Sequence, residues 1–414
     1  MVKVATTKPM NHTKEISMTM VRHSSLFSQL VGFFHRYKFH SLVEKHQTEK
    51  YSKGFKSWDH FVSMLFCQLA QAKSLREISG GLACCMGKVR HLGMEKAPSK
   101  STLSYANQKR PWQLYQDLFY QTLEFCQKAA PGKHKFRFKN KLLSLDSTTI
   151  SLCLNLFPWA KYRRTKGAVK LHLLLDHDGY LPSYAYISNG SSPDVTYARK
   201  FPLAPGSIVA MDRGYNDYKL FSFWTRKGIY FVTRLKENAD YEVVANRDVP
   251  KNRNILADEN IRFTGYNARK NCDVILRKVT VWDPAQNREI VLLTNHLDFG
   301  ATTISSIYKD RWQIELFFKA IKQNLRIKTF VGTNENALHI QIWTALIAML
   351  LIKFLQLKST FQWSLSNLVA FLRWNLFLYK DLWKWINKPY EVLPEIPKSV
   401  QLPLPFGRIG QHGQ

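Results

Sequence analysis

Acidic residues are scarce in this chain. Asp and Glu number 30 against 60 Lys plus Arg among 414 residues, giving a formal charge of +30. An excess of that size excludes a neutral or acidic surface and calls for a polyanionic partner, nucleic acid before anionic membrane. Cysteine is also sparse: Cys67, Cys84, Cys85, Cys126, Cys153 and Cys272 form no C-x2-C pair, and no His cluster has zinc spacing. Neighbouring Cys84 and Cys85 are poorly placed to bond each other, so a reduced cytoplasmic protein is expected. Residues 1–25 are polar and lack the apolar core of a secretion signal. Internal repeats and long low-complexity tracts are missing. Long apolar runs are missing too, except Ile340 to Leu355, which Gln341 and Lys353 interrupt. That run reads as a buried core helix rather than a membrane span.

What is present divides the chain by texture. After the polar arm (1–25), residues 26–130 carry apolar residues at helical spacing, as in Phe27 to Phe34 and Phe61 to Leu69. Ser74-Leu-Arg-Glu77 has the form of a capping box. Ser99 to Thr102 opens another helical pattern, beside Lys100, Lys109 and Arg110. Two readings stand for this region: a helix-turn-helix that meets DNA through those cations, or a helical bundle with incidental surface charge.

Beyond a linker at Ala129 to Lys135, strand patterns begin. Lys141 to Leu152, Val169 to Leu175 and Tyr184 to Ile187 read as strands, with Asp178-Gly179 turning the second into the third. A helix from Asp194, a strand at Ser207 to Met211, a helix near Tyr218 to Arg226 and a strand at Ile229 to Thr233 follow. Three strands, helix, strand, helix, strand make a mixed α/β sheet over 138–235, completed by 304–330. Residues 236–303 read as a β-rich insertion with a strand pair at Asp273 to Trp282 and Glu289 to Thr294. Residues 331–414 form a C-terminal region whose first part is helical and aromatic.

The densest signal is Y-K-D-R-W-Q-I-E-L-F-F-K-A-I-K, with Tyr308, Arg311, Glu315 and Lys322 spaced Y-x2-R-x3-E-x6-K. At about 100° per residue these four fall within an arc of roughly 60° on one helix. Lys319 and Arg326 land on the same stripe. A lone acid in a basic stripe suits a metal beside a polyanion; the rival reading is a solvated face of i,i+4 ion pairs. Two further acids shift the balance. Asp146 sits mid-strand in L-S-L-D-S-T-T, where an uncompensated charge is costly. Asp212 ends the strand V-A-M-D-R-G-Y, with Arg213 and Gly214 behind it. If the two strands are neighbours and the helix covers them, Asp146, Asp212 and Glu315 repel one another. Hard divalent cations would relieve that repulsion and could serve phosphodiester chemistry.

On these residues the chain resembles bacterial insertion-sequence transposases with a ribonuclease-H-like core, in particular insertion-sequence family four. The Y-x2-R-x3-E-x6-K signature is intact, as are the boxes L-D-S-T-T and M-D-R-G-Y. Elements of residues 26–125 (F-C-Q-L-A, S-L-R-E-I, S-T-L-S-Y-A-N) resemble the family's helical N-terminal domain. The resemblance implies that Asp146, Asp212 and Glu315 are catalytic and hold Mg2+, with Mn2+ able to substitute. Tyr308, Arg311 and Lys322 would grip DNA, aided by Lys319 and Arg213. It further implies a homodimer cutting double-stranded DNA at terminal inverted repeats, passing through a hairpin, and joining the ends to target DNA. Such an enzyme would sit at the nucleoid and not at a membrane. Some relatives stack a flipped base on an insertion-domain tryptophan; Trp282 is the candidate, and a cross-strand packing role is the alternative. Two other activities remain open: a nuclease of the same fold that never joins strands, and a silent DNA-binding repressor.

Overall fold

The computed structural model describes residues 24–391 apart from 51, 53, 86, 87, 130–134, 164, 165, 252 and 328. The polar arm therefore lies outside the described residues except for Ser24 and Ser25, as does most of the linker.

The chain begins with helices α1 (Leu26–Val31), α2 (Arg36–Lys45), α3 (Ser57–Leu69), α4 (Leu75–Ala83), α5 (Lys100–Lys109) and α6 (Gln113–Ala129). Serine side chains start three of them. Ser25, Ser74 and Ser99 accept from the backbone N–H of Ser28, Glu77 and Thr102, satisfying donors the helix cannot use. The Glu77 carboxylate reaches back to the N–H of Lys73 at 2.8 Å. Residues 84–99, with a 3-10 turn at Lys88–Leu92, separate α4 from α5. A compact helix-turn-helix needs a turn of only about three to four residues, so α4 and α5 are not that motif.

The sheet starts with β1 (Leu142–Leu152), β2 (Lys161–Arg163), β3 (Lys166–Asp176) and β4 (Leu181–Asn189); then come α7 (Asp194–Ala198), β5 (Ile208–Met211), α8 (Tyr218–Arg226) and β6 (Tyr230–Arg234). The β3–β4 turn follows Asp178-Gly179, with Gly179 at φ 84°, a conformation glycine adopts without strain. β1 runs antiparallel to β3, and β3 to β4. β1, β5 and β6 are parallel neighbours. This antiparallel meander, joined to two parallel strands by helical crossovers, is the mixed α/β sheet that the order of elements predicts and the ribonuclease-H-like core that the resemblance implies.

The insertion contributes β7 (Tyr241–Asn246), β8 (Ile255–Phe263), α9 (Tyr266–Asn271), β9 (Leu276–Asp283) and β10 (Arg288–Thr294). It is not a separate sheet. β10 pairs antiparallel with β6, giving a ten-stranded sheet in the order β2-β3-β1-β5-β6-β10-β9-β8-β7, with β4 also on β3. Without β10, the outer edge of β6 would leave backbone donors and acceptors unpaired. β7 and β8 escape sequence reading because their polar and apolar residues do not alternate cleanly.

The chain closes with α10 (Ala301–Asp310), α11 (Trp312–Asn324), α12 (Glu335–Lys358), α13 (Leu365–Asn375) and α14 (Leu382–Asn387). Among the described residues α12 is the helix long and apolar enough to cross a membrane. It is buried on all sides here, from Ala337 to Leu355 with few breaks, and shares one core with α3 and α6. Its polar Gln341 is fully buried and donates to the carbonyls of Arg326 (2.6 Å) and Thr329 (2.8 Å). The first described helix also joins the C-terminal helical region: Leu26 and Phe27 donate to the carbonyls of Leu378 and Leu376. The helical regions 26–130 and 331–391, separate in sequence, form one body.

The two faces of the sheet are covered differently. Leu143, Leu145, Val209 and Met211 pack with Leu220, Phe221 and Trp224 of α8. On the opposite face Leu142, Ile208 and Ala210 meet Ile304 and Ile307 of α10, while Ile150 and Leu152 join the cluster of Ile314, Phe317 and Ile321 from α11.

Candidate active site

Leu145 of β1 lies opposite Met211 of β5. The next residues, Asp146 and Asp212, therefore leave adjacent parallel strands at the same height. Alternation turns both away from the α8 face and toward α10 and α11. Asp146 Oδ1 accepts from the Ser147 N–H at 2.8 Å. Asp212 caps the turn Arg213–Tyr215, accepting from Gly214 N–H at 3.2 Å.

Glu315 comes from the first turn of α11. The single helix expected through Tyr308 and Lys322 is in fact two, broken at Arg311, which ends α10 and begins α11. The Arg311 N–H is shared between the carbonyls of Ile307 and Tyr308. Arg311 is 9% exposed. It donates to Glu315 Oε1 at 2.7 Å and lies 3.9 Å from Asp146 Oδ2. The guanidinium thus stands between two of the three acids, 5.5 Å from the centre of the Tyr308 ring.

Burial pushes the Asp146 carboxyl up to about 6; Asp212 and Glu315 add to the shift, and the Ser147 N–H and Arg311 oppose it. Tyr308 is raised by burial and by Asp212. Tyr215, from the M-D-R-G-Y box, is raised well above its ordinary value by burial, then by Asp146 and Asp194. Asp146 therefore senses both other acids across one face of the sheet. They supply oxygen donors only, the set that suits a hard divalent cation. Among the described residues, however, no three acidic, His or Cys side chains already close on one metal-sized point. The donor chemistry fits such an ion; the closed arrangement expected from sequence is not present while Arg311 lies between Asp146 and Glu315.

The expected DNA-contacting residues divide. Lys319 is exposed on α11, and Lys322 Nζ donates to the carbonyl of Thr149, three residues beyond Asp146, at 3.2 Å. Arg213 is exposed beside Asp212, 3.4 Å from Glu237. Lys100 and Lys109 are exposed on α5. Arg110 is a correction: its side chain is buried and turned inward. It donates to the Lys56 carbonyl at 2.8 Å, to Ser52 Oγ at 3.3 Å and to the Phe55 carbonyl. Burial among backbone carbonyls makes it a structural donor. Arg326 likewise leaves the predicted stripe, because α11 ends at Asn324; its guanidinium donates to the Gln71 carbonyl. Trp282 is half-buried on β9 opposite Glu289, four strands from β1 in the sheet order.

Sequence reasoning missed a buried group behind the site. Asp310, the last residue of α10, meets His177, Tyr180 and Lys135. These residues come from three distant segments, so no local spacing advertises them.

The sequence profile of the transposase DDE domain matches residues 137–351, just over half of the chain. A domain of unknown function, DUF4372, matches residues 22–95. The chain is 31% identical over 261 residues to "Putative transposase y4zB" of Sinorhizobium fredii, covering 62% of this chain and 71% of that protein. It is 27% identical over 275 residues to "Probable transposase for insertion sequence element IS5377" of Geobacillus stearothermophilus, covering 66% and 72%. A piggyBac transposase synaptic complex with hairpin DNA overlaps 88% of the chain and 81% of its own, at 11% identity and a TM-score of 0.41. DDE transposase domains generally use divalent metal ions. The chain belongs to the DDE transposases, of the insertion-sequence family-four type: enzymes that cleave DNA and transfer its strands.

Proposed function

We propose that this transposase moves its element by cut and paste, with Asp146, Asp212 and Glu315 as the catalytic carboxylates. These three would hold Mg2+, or Mn2+ in its place. A divalent cation there would supply positive charge to the phosphodiester as its bonds change. The chain's own residues do the rest. Arg311 leaves Glu315 and joins Tyr308 and Lys322 in holding phosphate oxygens. Lys319 and Arg213 extend that grip along the duplex, and Lys100 and Lys109 bind it farther away. Water attacks the element end and frees a 3′-hydroxyl. That hydroxyl attacks the opposite strand to form a hairpin, and after the hairpin opens it attacks target DNA. Trp282, on β9, stacks on a base displaced by the hairpin. Two copies pair the terminal inverted repeats in the cytoplasm, at the nucleoid.

The observation that carries this reading is the level register of Asp146 and Asp212 on neighbouring parallel strands, beneath the helix bearing Glu315. The test is incubation of the protein with duplexes of its element ends and Mg2+, followed by mapping of the products on a denaturing gel. Hairpin ends and joined products are expected. Cleaved ends that never join, even when supplied precleaved, would reassign the protein as a nuclease.

A further inference from the structure

Asp310 is an odd residue to end a helix. The last turn of a helix favours cations, because its free carbonyls carry partial negative charge. Asp310 is also buried, at 4% exposure, and an unpaired carboxylate there would be costly. Its oxygens are fully engaged. His177 Nδ1 lies 2.6 Å from Asp310 Oδ2, the Tyr180 hydroxyl donates at 3.2 Å, and Lys135 forms an ion pair. Burial disfavours ionisation, but the hydrogen bonds from His177 and Lys135 outweigh it and hold the carboxyl below its ordinary range.

A carboxylate can only accept, so the proton sits on His177 Nδ1. His177 Nε2 is then free to accept from Ser144 Oγ, 2.7 Å away. Ser144, His177 and Asp310 thus form an unbroken chain of hydrogen bonds. The order is that of a hydrolytic Ser-His-Asp triad, but Ser144 is 0% exposed and no substrate reaches its oxygen. The ends of the chain carry the meaning. Ser144 stands two residues before Asp146 on the same face of β1. Asp310 immediately precedes Arg311, where the helix breaks before Glu315.

We propose that Ser144, His177 and Asp310 are positioning residues: their hydrogen-bond chain fixes the break at Arg311, and with it Glu315, relative to the strand that carries Asp146. This inference rests on the reading of Asp146 and Glu315 given above. The chain gives the site a rigid spacer behind its acids, so that only Arg311 and the side chain of Glu315 need move when a cation and DNA arrive.

The test compares Ser144→Ala and Asp310→Asn, singly and combined, at a temperature where circular dichroism shows every variant folded. Mn2+ affinity is titrated by electron paramagnetic resonance without DNA, and single-turnover cleavage and DNA affinity are measured separately. Each single change should weaken Mn2+ binding and slow cleavage by about tenfold, as for supports of other metal ligands, with DNA affinity within about twofold. The double variant should be no worse than the more damaging single one, because the chain acts as a unit. Leu372→Ala, in the α13 core, should lower the melting temperature without changing Mn2+ affinity. If both relay variants only melt earlier and keep Mn2+ affinity and rate within about twofold, the inference fails. Should Asp310→Asn not fold, Ser144→Ala decides alone. Glu315→Gln runs alongside: if it cleaves normally, the assignment of the acids has failed rather than the relay.

Discussion

Leu145 and Met211 face each other across the parallel ladder of β1 and β5, and this single register sets the height of both strand-borne acids. A shift of one residue would turn Asp146 toward the α8 core and leave Asp212 alone on its face. Asp146→Asn, Asp212→Asn and Glu315→Gln should each slow DNA cleavage by a factor on the order of 10³ or more, while gel-shift affinity for element ends is retained. Normal cleavage by any one of the three removes that residue from the site.

The raised Asp146 carboxyl gives a pH signature. Burial, then Asp212 and Glu315, lift it from 3.8 to about 6, so the folded chain binds this proton more tightly than the unfolded one. The stabilisation it brings is full below the unfolded value and is lost as pH rises through about 6. In metal-free protein Asp146→Asn should therefore melt at or above wild type at about pH 7.5, with the advantage gone at about pH 4. A variant that melts clearly lower near neutral pH would mean that the attraction of Arg311 dominates at Asp146.

The cations should separate by salt dependence. Lys319→Ala and Lys322→Ala should each reduce the slope of log affinity against log salt by about 0.9. Arg110→Ala should leave that slope unchanged and lower stability by about 1–3 kcal/mol, because the hydrogen bonds of a buried guanidinium to the Lys56 and Phe55 carbonyls and to Ser52 Oγ are lost. A lowered slope for Arg110→Ala, in protein that melts normally, would return this residue to the DNA-binding surface.

Gln341 tests the central helix. Its amide serves two carbonyls and accepts from the Val331 N–H at 2.9 Å. Gln341→Leu keeps the volume but removes three part-buried hydrogen bonds, and should cost about 1–3 kcal/mol in denaturant unfolding. An unchanged midpoint would show that the segment 326–331 does not depend on α12.

These contrasts mark what the sequence could show. Asp146, Asp212 and Glu315 stand out in the sequence as candidates because each sits in a local pattern: an apolar strand interrupted by an acid, a strand end, a basic helical stripe. The core strands β1, β3, β5 and β6 were legible for the same reason, and so was burial of Ile340 to Leu355. The break at Arg311 was not, because the apolar period runs through it without a Pro or Gly. Nor was the inward turn of Arg110, which depends on carbonyls of Phe55 and Lys56 that only the folded chain brings near. The junction of β10 with β6, and the chain from Ser144 through His177 to Asp310, join segments that share no local spacing.

The most direct test is a crystal of the protein bound to its element end and soaked in Mn2+, with the ion located by anomalous scattering. The predicted result is an ion at coordination distance from oxygens of Asp146, Asp212 and Glu315, with the Arg311 guanidinium moved from Glu315 to a phosphate. An ion held elsewhere, with Arg311 still bonded to Glu315 beside bound DNA, would contradict the account.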